Sequence, residues 1–155
     1  MFGMVLVITL AFVVIFKLDF FSKNNSPQPS LTTREGAGPK IVKIGNKTLN
    51  LEIADMGEER VRGLSGRESL PANTGLLFVF EKEEKHGIWM KDMNFPIDIA
   101  WLDKNKQIIH IEHNVSPDTY PKIFTSNAPA LYILEVNASF FEKSNIKIGD
   151  TAKFD

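Results

Sequence analysis

The sequence contains no cysteine. This absence excludes disulfide bonds, thiolate metal sites, cysteine nucleophiles and attachment of a lipid to a lipobox cysteine. An excess of positive charge is also absent, since 18 Lys and Arg residues stand against 19 Asp and Glu residues. Proteins bind nucleic acids mainly through clusters of basic side chains, so the sequence predicts no nucleic-acid partner.

Signatures of bound cofactors are missing as well. The sequence has neither a glycine-rich phosphate loop nor a dinucleotide fingerprint. Segment 63–67 superficially resembles a nucleophile elbow, but Arg67 replaces the last glycine of that motif. On a strand, His110 and Glu112 would share one face and His113 the other, which is a poor arrangement for zinc. We therefore expect no cofactor, no metal ion and no recognisable catalytic residue.

Charged side chains are absent from the first 16 residues. A helix continued to Phe21 would be about 31 Å long, which matches the hydrocarbon thickness of a bilayer. No basic residue precedes this apolar run and no Ala-x-Ala site follows it, which favours an uncleaved anchor over a signal peptide. Residues 1–21 are therefore predicted to form an N-terminal transmembrane helix, with membrane lipid as its partner.

Segment 22–39 is rich in Ser, Asn, Pro and Gly, and Leu31 is its one large apolar residue. Such a composition buries too little apolar surface to fold, so we interpret 22–39 as a flexible linker. A loose coil of this length would hold a domain typically about 20–25 Å from the membrane. The basic residues near the apolar run all follow it, and this charge bias alone would favour a cytosolic domain.

Residues 40–155 show the short alternating runs and turn signals of a mainly β domain, a single β-sandwich or barrel-like unit with short helical insertions. A Gly-Asn link predicts a hairpin between 40–44 and 47–53. Asp55 and Glu58 form a capping pattern for a helix from Met56 to about Leu64. The apolar run 76–80 predicts a central strand buried on both faces. Further strands are expected at 88–90, 97–102, 107–115, 131–136 and 151–154, and a helical turn at 139–142.

Several motifs occur in a characteristic order along the chain: Arg62-Gly63-Leu64 with Arg67, Gly75-Leu76-Leu77-Phe78, Trp89-Met90-Lys91, Pro96-Ile97-Asp98-Ile99, Leu134-Glu135-Val136 and Gly149-Asp150. In this order and spacing, residues 60–150 resemble the bacterial and archaeal "domain of unknown function 192" family. The resemblance implies a small β-rich domain behind a signal sequence or anchor. It therefore favours the extracytoplasmic side of the membrane. The family has no established activity and supplies no catalytic residues.

The most suggestive polar cluster is the turn that carries Arg62 and Arg67. Two guanidinium groups around a glycine turn can hold a carboxylate or a phosphate. The structural alternative is that each arginine pairs with an internal acid, Asp98 or Glu135, because buried acids need a cationic partner. Trp89 is either the wall of a ligand site or a packing residue.

These residues lead to three functional hypotheses. The first is a binding module in which Arg62, Arg67 and Lys91 hold an anionic group beside Trp89. The second is an envelope-associated hydrolase that uses Asp98 and Glu135 as a carboxylate pair, which requires both carboxyls in one cleft about 5–10 Å apart. The third is a structural or assembly module for another membrane protein.

Overall fold

The computed structural model of the protein describes residues 40–155. The anchor predicted at 1–21 and the linker predicted at 22–39 lie outside the described residues. Within the described part of the chain, no helix is long and apolar enough to cross a membrane.

Residues 40–155 form short strands joined by tight turns, with few short helices. The strands are β1 (Ile41–Ile44), β2 (Lys47–Ala54), β3 (Thr74–Glu84), β4 (Gly87–Trp89), β5 (Ile97–Leu102), β6 (Ile108–Val115), β7 (Ile123–Thr125), β8 (Ala130–Asn137) and β9 (Ala152–Phe154). The α-helices are α1 (Gly57–Arg62) and α2 (Phe140–Lys143), and a 3₁₀ turn covers Pro117–Thr119.

The main sheet has seven strands in the order β6-β5-β8-β3-β2-β1-β9, while β4 and β7 form a separate two-stranded ribbon. Strands β2 and β3 pair in parallel, and the other pairs are antiparallel. The two edges of the main sheet meet through a bridge between Gln107 and Thr151. The sheet is therefore curled into a half-barrel, which confirms the mainly β prediction and the short helical insertions.

The β1–β2 hairpin forms as the sequence predicts. Gly45 adopts a positive φ of 57°, which a side chain would disfavour, and Ile44 pairs with Lys47 across the turn. Leu49, Leu51 and Ile53 alternate along β2 and are buried together. Period-two alternation therefore identified both the strand and its inward face.

Strand β3 is central, since β2 pairs with one side of it and β8 with the other. Its apolar residues serve two cores, one on each face of the sheet: Leu76 and Phe78 pack into the first core, and Leu77 packs into the second. The strand continues to Glu84, beyond the predicted end at Phe80. Strand β5 lies on the far side of β8 and is buried along its whole length.

Helix α1 begins with a different acid from the one predicted. The carboxylate of Glu59 accepts hydrogen bonds from the backbone N–H groups of Asp55 (3.2 Å) and Met56 (3.1 Å). The helix spans Gly57–Arg62 and ends at Gly63, which has a φ of 49°. The predicted Asp55–Glu58 box was wrong by one position because the N-cap is Met56, which makes Glu59 the third helical residue.

Asp98 organises the second face of the sheet. Its carboxylate is fully buried and accepts backbone hydrogen bonds from Asn114 (2.8 Å), Ser139 (3.0 Å) and Phe141 (3.1 Å). It thereby ties β5 to the end of β6 and caps α2. Ser139 is the N-cap residue of α2, but its hydroxyl donates to Asn114 Oδ1 at 2.8 Å and does not cap the helix. The sequence hypothesis that Asp98 pairs with an arginine is wrong, because backbone N–H groups satisfy this charge.

We expect the substitution Asp98→Asn to destabilise the domain strongly. It removes the charge and one acceptor and leaves buried N–H groups unpaired, which should lower the free energy of unfolding by about 3 kcal/mol. The measurement is thermal unfolding followed by circular dichroism. Asp118→Asn, a change at an exposed aspartate, is the matched control and should alter stability by less than about 0.5 kcal/mol. Equal melting temperatures for the two variants would contradict the capping role of Asp98.

Candidate functional site

A small cavity of about 40 Å³ lies between the end of α1 and strand β4. We call it the arginine-turn cavity. Its volume is enough for about three water molecules or one group of similar size. The residues that matter for its chemistry are Arg62, Gly63, Ser65, Phe78, Trp89 and Glu135.

Polar contacts hold the two walls of this cavity together. The hydroxyl of Ser65 donates to the carbonyl of Lys91 at 2.8 Å, and the N–H of Gly66 donates to the carbonyl of Asp92 at 2.7 Å. The side-chain amide of Asn94 donates to the carbonyl of Arg67 at 2.8 Å. The arginine turn and the Trp-Met-Lys segment, which are separate in sequence, therefore form one rigid rim.

Gly63 lets the arginine turn pass close to the sheet. A Cβ atom at this position would lie 3.3 Å from the ring of Phe78 and 4.0 Å from Oε2 of Glu135. The positive φ of 49° at Gly63 adds a second reason for glycine. Because Gly63 has no side chain, the Glu135 carboxyl remains accessible to the cavity.

Glu135 lies in the first core of the sheet. Its neighbours across the sheet are Leu76 on β3 and Ile99 on β5. Burial raises the pKa of Glu135 from 4.5 to about 8, and the positive charge of Arg67 opposes this rise. Burial therefore favours the neutral form of Glu135 at pH 7. Its carboxyl can donate a hydrogen bond, which a carboxylate cannot do.

Two buried side-chain atoms of the described residues have no hydrogen-bond partner, and both belong to residues that line this cavity. They are Nε of Arg62, which is a donor, and Oε2 of Glu135. Buried polar atoms are nearly always paired in folded proteins, so the two unpaired atoms require a partner in this cavity, which ordered water or a ligand can supply. A guanidinium group and a protonated carboxyl together suit an anion.

Arg67 is not available for a ligand in the way that the sequence suggested. Its guanidinium group forms two parallel hydrogen bonds with Glu52, at 2.9 Å and 2.7 Å, and its side chain is 11% exposed. Sequence reasoning missed Glu52, which alternates with inward-facing leucine and isoleucine on β2 and resembles an ordinary surface residue. The sequence predicts that each arginine pairs with an acid such as Asp98 or Glu135. Arg67 does pair with an acid, but that acid is Glu52, and the charge of Arg67 also acts on Glu135.

Trp89 and Lys91 lie at the mouth of the cavity. Trp89 lines it and is 42% exposed, while its neighbour Met90 is buried in the core. Only one member of this pair packs inward, as the alternation predicts. Lys91 is exposed, and its Nζ lies 5.9 Å from the centre of the Trp89 ring. It belongs to the rim of the site and does not line the cavity.

Asp98 and Glu135 lie on opposite faces of the sheet. Ile99 pairs with Glu135 and packs in the first core, whereas Ala100 packs in the second. Successive side chains alternate, so Asp98 faces the second core. The two carboxyls therefore cannot open into one cleft, and the hypothesis of a catalytic carboxylate pair is wrong for this geometry.

A larger and more open depression of about 400 Å³ lies at the end of the half-barrel. Apolar side chains line it, and Lys106, Asp55 and Asp155 contribute charges of both signs. The Nζ of Lys106 lies 4.9 Å from the centre of the Phe154 ring. Unlike the arginine-turn cavity, this depression contains none of the unpaired buried atoms of the described residues.

Other proteins of known structure share this fold. A protein of Sinorhizobium meliloti 1021, described as a candidate transcription regulator, is 26% identical with a TM-score of 0.70, and the match covers 74% of this chain and 92% of that one. A protein of unknown function from Novosphingobium aromaticivorans DSM 12444 is 23% identical with a TM-score of 0.69, covering 73% of this chain and 83% of that one.

Comparison with curated proteins finds no match. The model of the DUF192 family, described as "Uncharacterized ACR", matches residues 40–154. This match confirms the resemblance drawn from residues 60–150 and extends it over nearly all of the described domain. The chain therefore belongs to the DUF192 family.

Proposed function

We propose that this protein is a binding module for a small anionic group, which the arginine-turn cavity holds. The observation that carries the proposal is the pair of unpaired buried atoms at this cavity, Nε of Arg62 and Oε2 of Glu135. The guanidinium group supplies a charge-assisted hydrogen bond, and the neutral carboxyl supplies a second donor. Both are positioned by the sheet and the rim before the ligand arrives.

The dimensions of the site restrict the ligand. A cavity of about 40 Å³ admits a carboxylate, a sulfate or a phosphate but no larger body. The remainder of the ligand would lie outside, against the exposed ring of Trp89, with Lys91 contributing positive charge at the rim. The hydroxyl of Ser65, which lines the cavity, donates its proton to the backbone carbonyl of Lys91 and is not free to act as a nucleophile. We therefore propose that the cavity binds its ligand and does not catalyse a reaction.

We also propose that the module is tethered to a membrane through residues 1–21 and the linker 22–39, with the domain on the extracytoplasmic side. Support comes from the 16 uncharged residues at the start of the sequence. An uncleaved apolar helix of this length is retained in the bilayer by its hydrophobicity. The resemblance to a family whose members commonly follow a signal sequence or anchor supports the outer face.

A direct test of the cavity is anion-dependent stabilisation with sulfate as the probe. A ligand present at a hundredfold excess over Kd stabilises a fold by about 2.7 kcal/mol, or roughly 10 °C in Tm for a domain of this size. We expect Arg62→Gln to abolish the saturable part of this shift. Lys104→Gln, at an exposed lysine, is the control and should leave it intact. Equal shifts in both variants would mean that sulfate acts as a general stabilising salt.

The raised pKa of Glu135 predicts how stability depends on pH. The folded state holds a proton up to a pKa of about 8, while the ordinary value is 4.5. The contribution of Glu135 to stability is therefore complete below pH 4.5 and is lost as the pH rises through 8, by up to about 1.4 kcal/mol per pH unit. Glu135→Gln should flatten this decline in urea unfolding curves, and Glu142→Gln, at an exposed glutamate, should not. A Glu135→Gln variant with the wild-type pH profile would refute the neutral buried acid.

The membrane tether is tested by extraction of isolated membranes with alkaline carbonate. We expect the full chain to stay in the pellet, because a transmembrane helix resists a treatment that releases peripheral proteins. The substitutions Leu6→Arg and Val13→Arg, made together, should release the chain because charges are costly at the bilayer centre. Release of the unmodified chain into the supernatant would remove the anchor from the proposal.

A further inference from the structure

Exposed apolar side chains surround the mouth of the arginine-turn cavity. The exposed fractions are 70% for Val61, 42% for Trp89, 46% for Tyr120 and 59% for Ile123. Val61 and Trp89 line the same cavity, Trp89 pairs with Ile123 between β4 and β7, and the rings of Trp89 and Tyr120 lie 6.2 Å apart. These four residues form one surface, which we call the apolar patch. Continuous patches of this kind usually mark a surface that another body covers.

The chemistry of the apolar patch matches the headgroup layer of a bilayer. Trp and Tyr concentrate at membrane interfaces because one part of each ring system is apolar and the other is polar. A lysine flanks the patch: the Nζ of Lys91 lies 5.9 Å from the centre of the Trp89 ring. Lysines beside aromatic rings extend their ammonium groups toward lipid phosphates while their stems remain in apolar contact.

The direction of β1 shows where the preceding residues reach the domain. Ile41 pairs with Asn50, and the N–H of Leu51 donates to the carbonyl of Lys40 at 2.8 Å. Because β1 runs antiparallel to β2, the chain before Lys40 comes from the end of the sheet at which β2 finishes with Ala54. Helix α1, which carries Val61, begins directly after that end. The linker is therefore attached at the end of the sheet from which α1, the helix that carries Val61, begins.

We propose that the apolar patch docks on the anionic bilayer in which residues 1–21 are anchored. Trp89, Tyr120 and Ile123 enter the headgroup layer, and Lys91 contacts anionic headgroups. This proposal rests on the membrane tether proposed above. A linker with a typical span of about 20–25 Å keeps the patch within reach of the surface, so that weak contacts suffice for docking. In the docked state the mouth of the cavity opens toward the headgroups.

The test uses the full chain reconstituted in phosphatidylcholine vesicles, with and without phosphatidylglycerol. Flotation with the vesicles reports the anchor, and quenching of tryptophan fluorescence by brominated lipids reports docking. The sequence has two tryptophans, and the other one, Trp101, is fully buried with its N–H donated to the carbonyl of His86. We expect brominated lipids to quench the emission of the wild type, more strongly with phosphatidylglycerol, and Trp89→Phe to lose this quenching.

Two isoleucine-to-serine substitutions distinguish a loss of docking from a general effect of adding a polar side chain to the surface. Ile123→Ser lies in the apolar patch and should reduce quenching of Trp89, while Ile148→Ser, at a side chain that is 58% exposed elsewhere, should leave it unchanged. If the chain floats but is not quenched, the anchor stands and the docking proposal is overturned. A chain that does not float overturns both the anchor and the docking.

Discussion

A sheet that is packed on both faces excludes water from any polar side chain within it, and this constraint decides what the two buried acids do. Asp98 and Glu135 both lie in apolar strands and are at most 4% exposed. Three backbone N–H groups surround Asp98 and satisfy its charge. Glu135 receives no such donor for Oε2, and burial shifts its pKa upward until the neutral form is preferred. One acid therefore stabilises the fold, and the other remains available at a cavity.

The ion pair between Arg67 and Glu52 links the fold to the site. It joins the arginine turn to β2 and keeps the Arg67 guanidinium occupied, whereas Arg62 lines the cavity. The charge of Arg67 also acts on Glu135 and limits the rise of its pKa. A partly exposed bidentate pair of this kind contributes modestly to stability but fixes geometry well. Its role is thus to position the turn.

Local patterns in the sequence predicted much of the sheet. The β1–β2 hairpin, the buried strand β3 and the position of β5 follow from alternation and turn residues within a few positions of one another. The partners of the charged residues did not follow, because they depend on register between distant strands. Asp98 and Glu135 resemble each other in sequence, and only the pairing of Ile99 with Glu135 shows that they face opposite cores. The pairing of Arg67 with Glu52 likewise did not follow from the sequence, because it forms only once the turn is folded against β2.

A neutral acid beside a guanidinium group also couples anion binding to protonation. A bound anion near Glu135 would raise the cost of ionising its carboxyl, so the anion should raise the pKa of Glu135 further. By linkage, protonation of Glu135 strengthens anion binding to the same degree. An anionic membrane surface attracts protons as well as lysines. Docking of the apolar patch would therefore place the cavity where Glu135 stays protonated and where the guanidinium of Arg62 meets a high concentration of anionic groups.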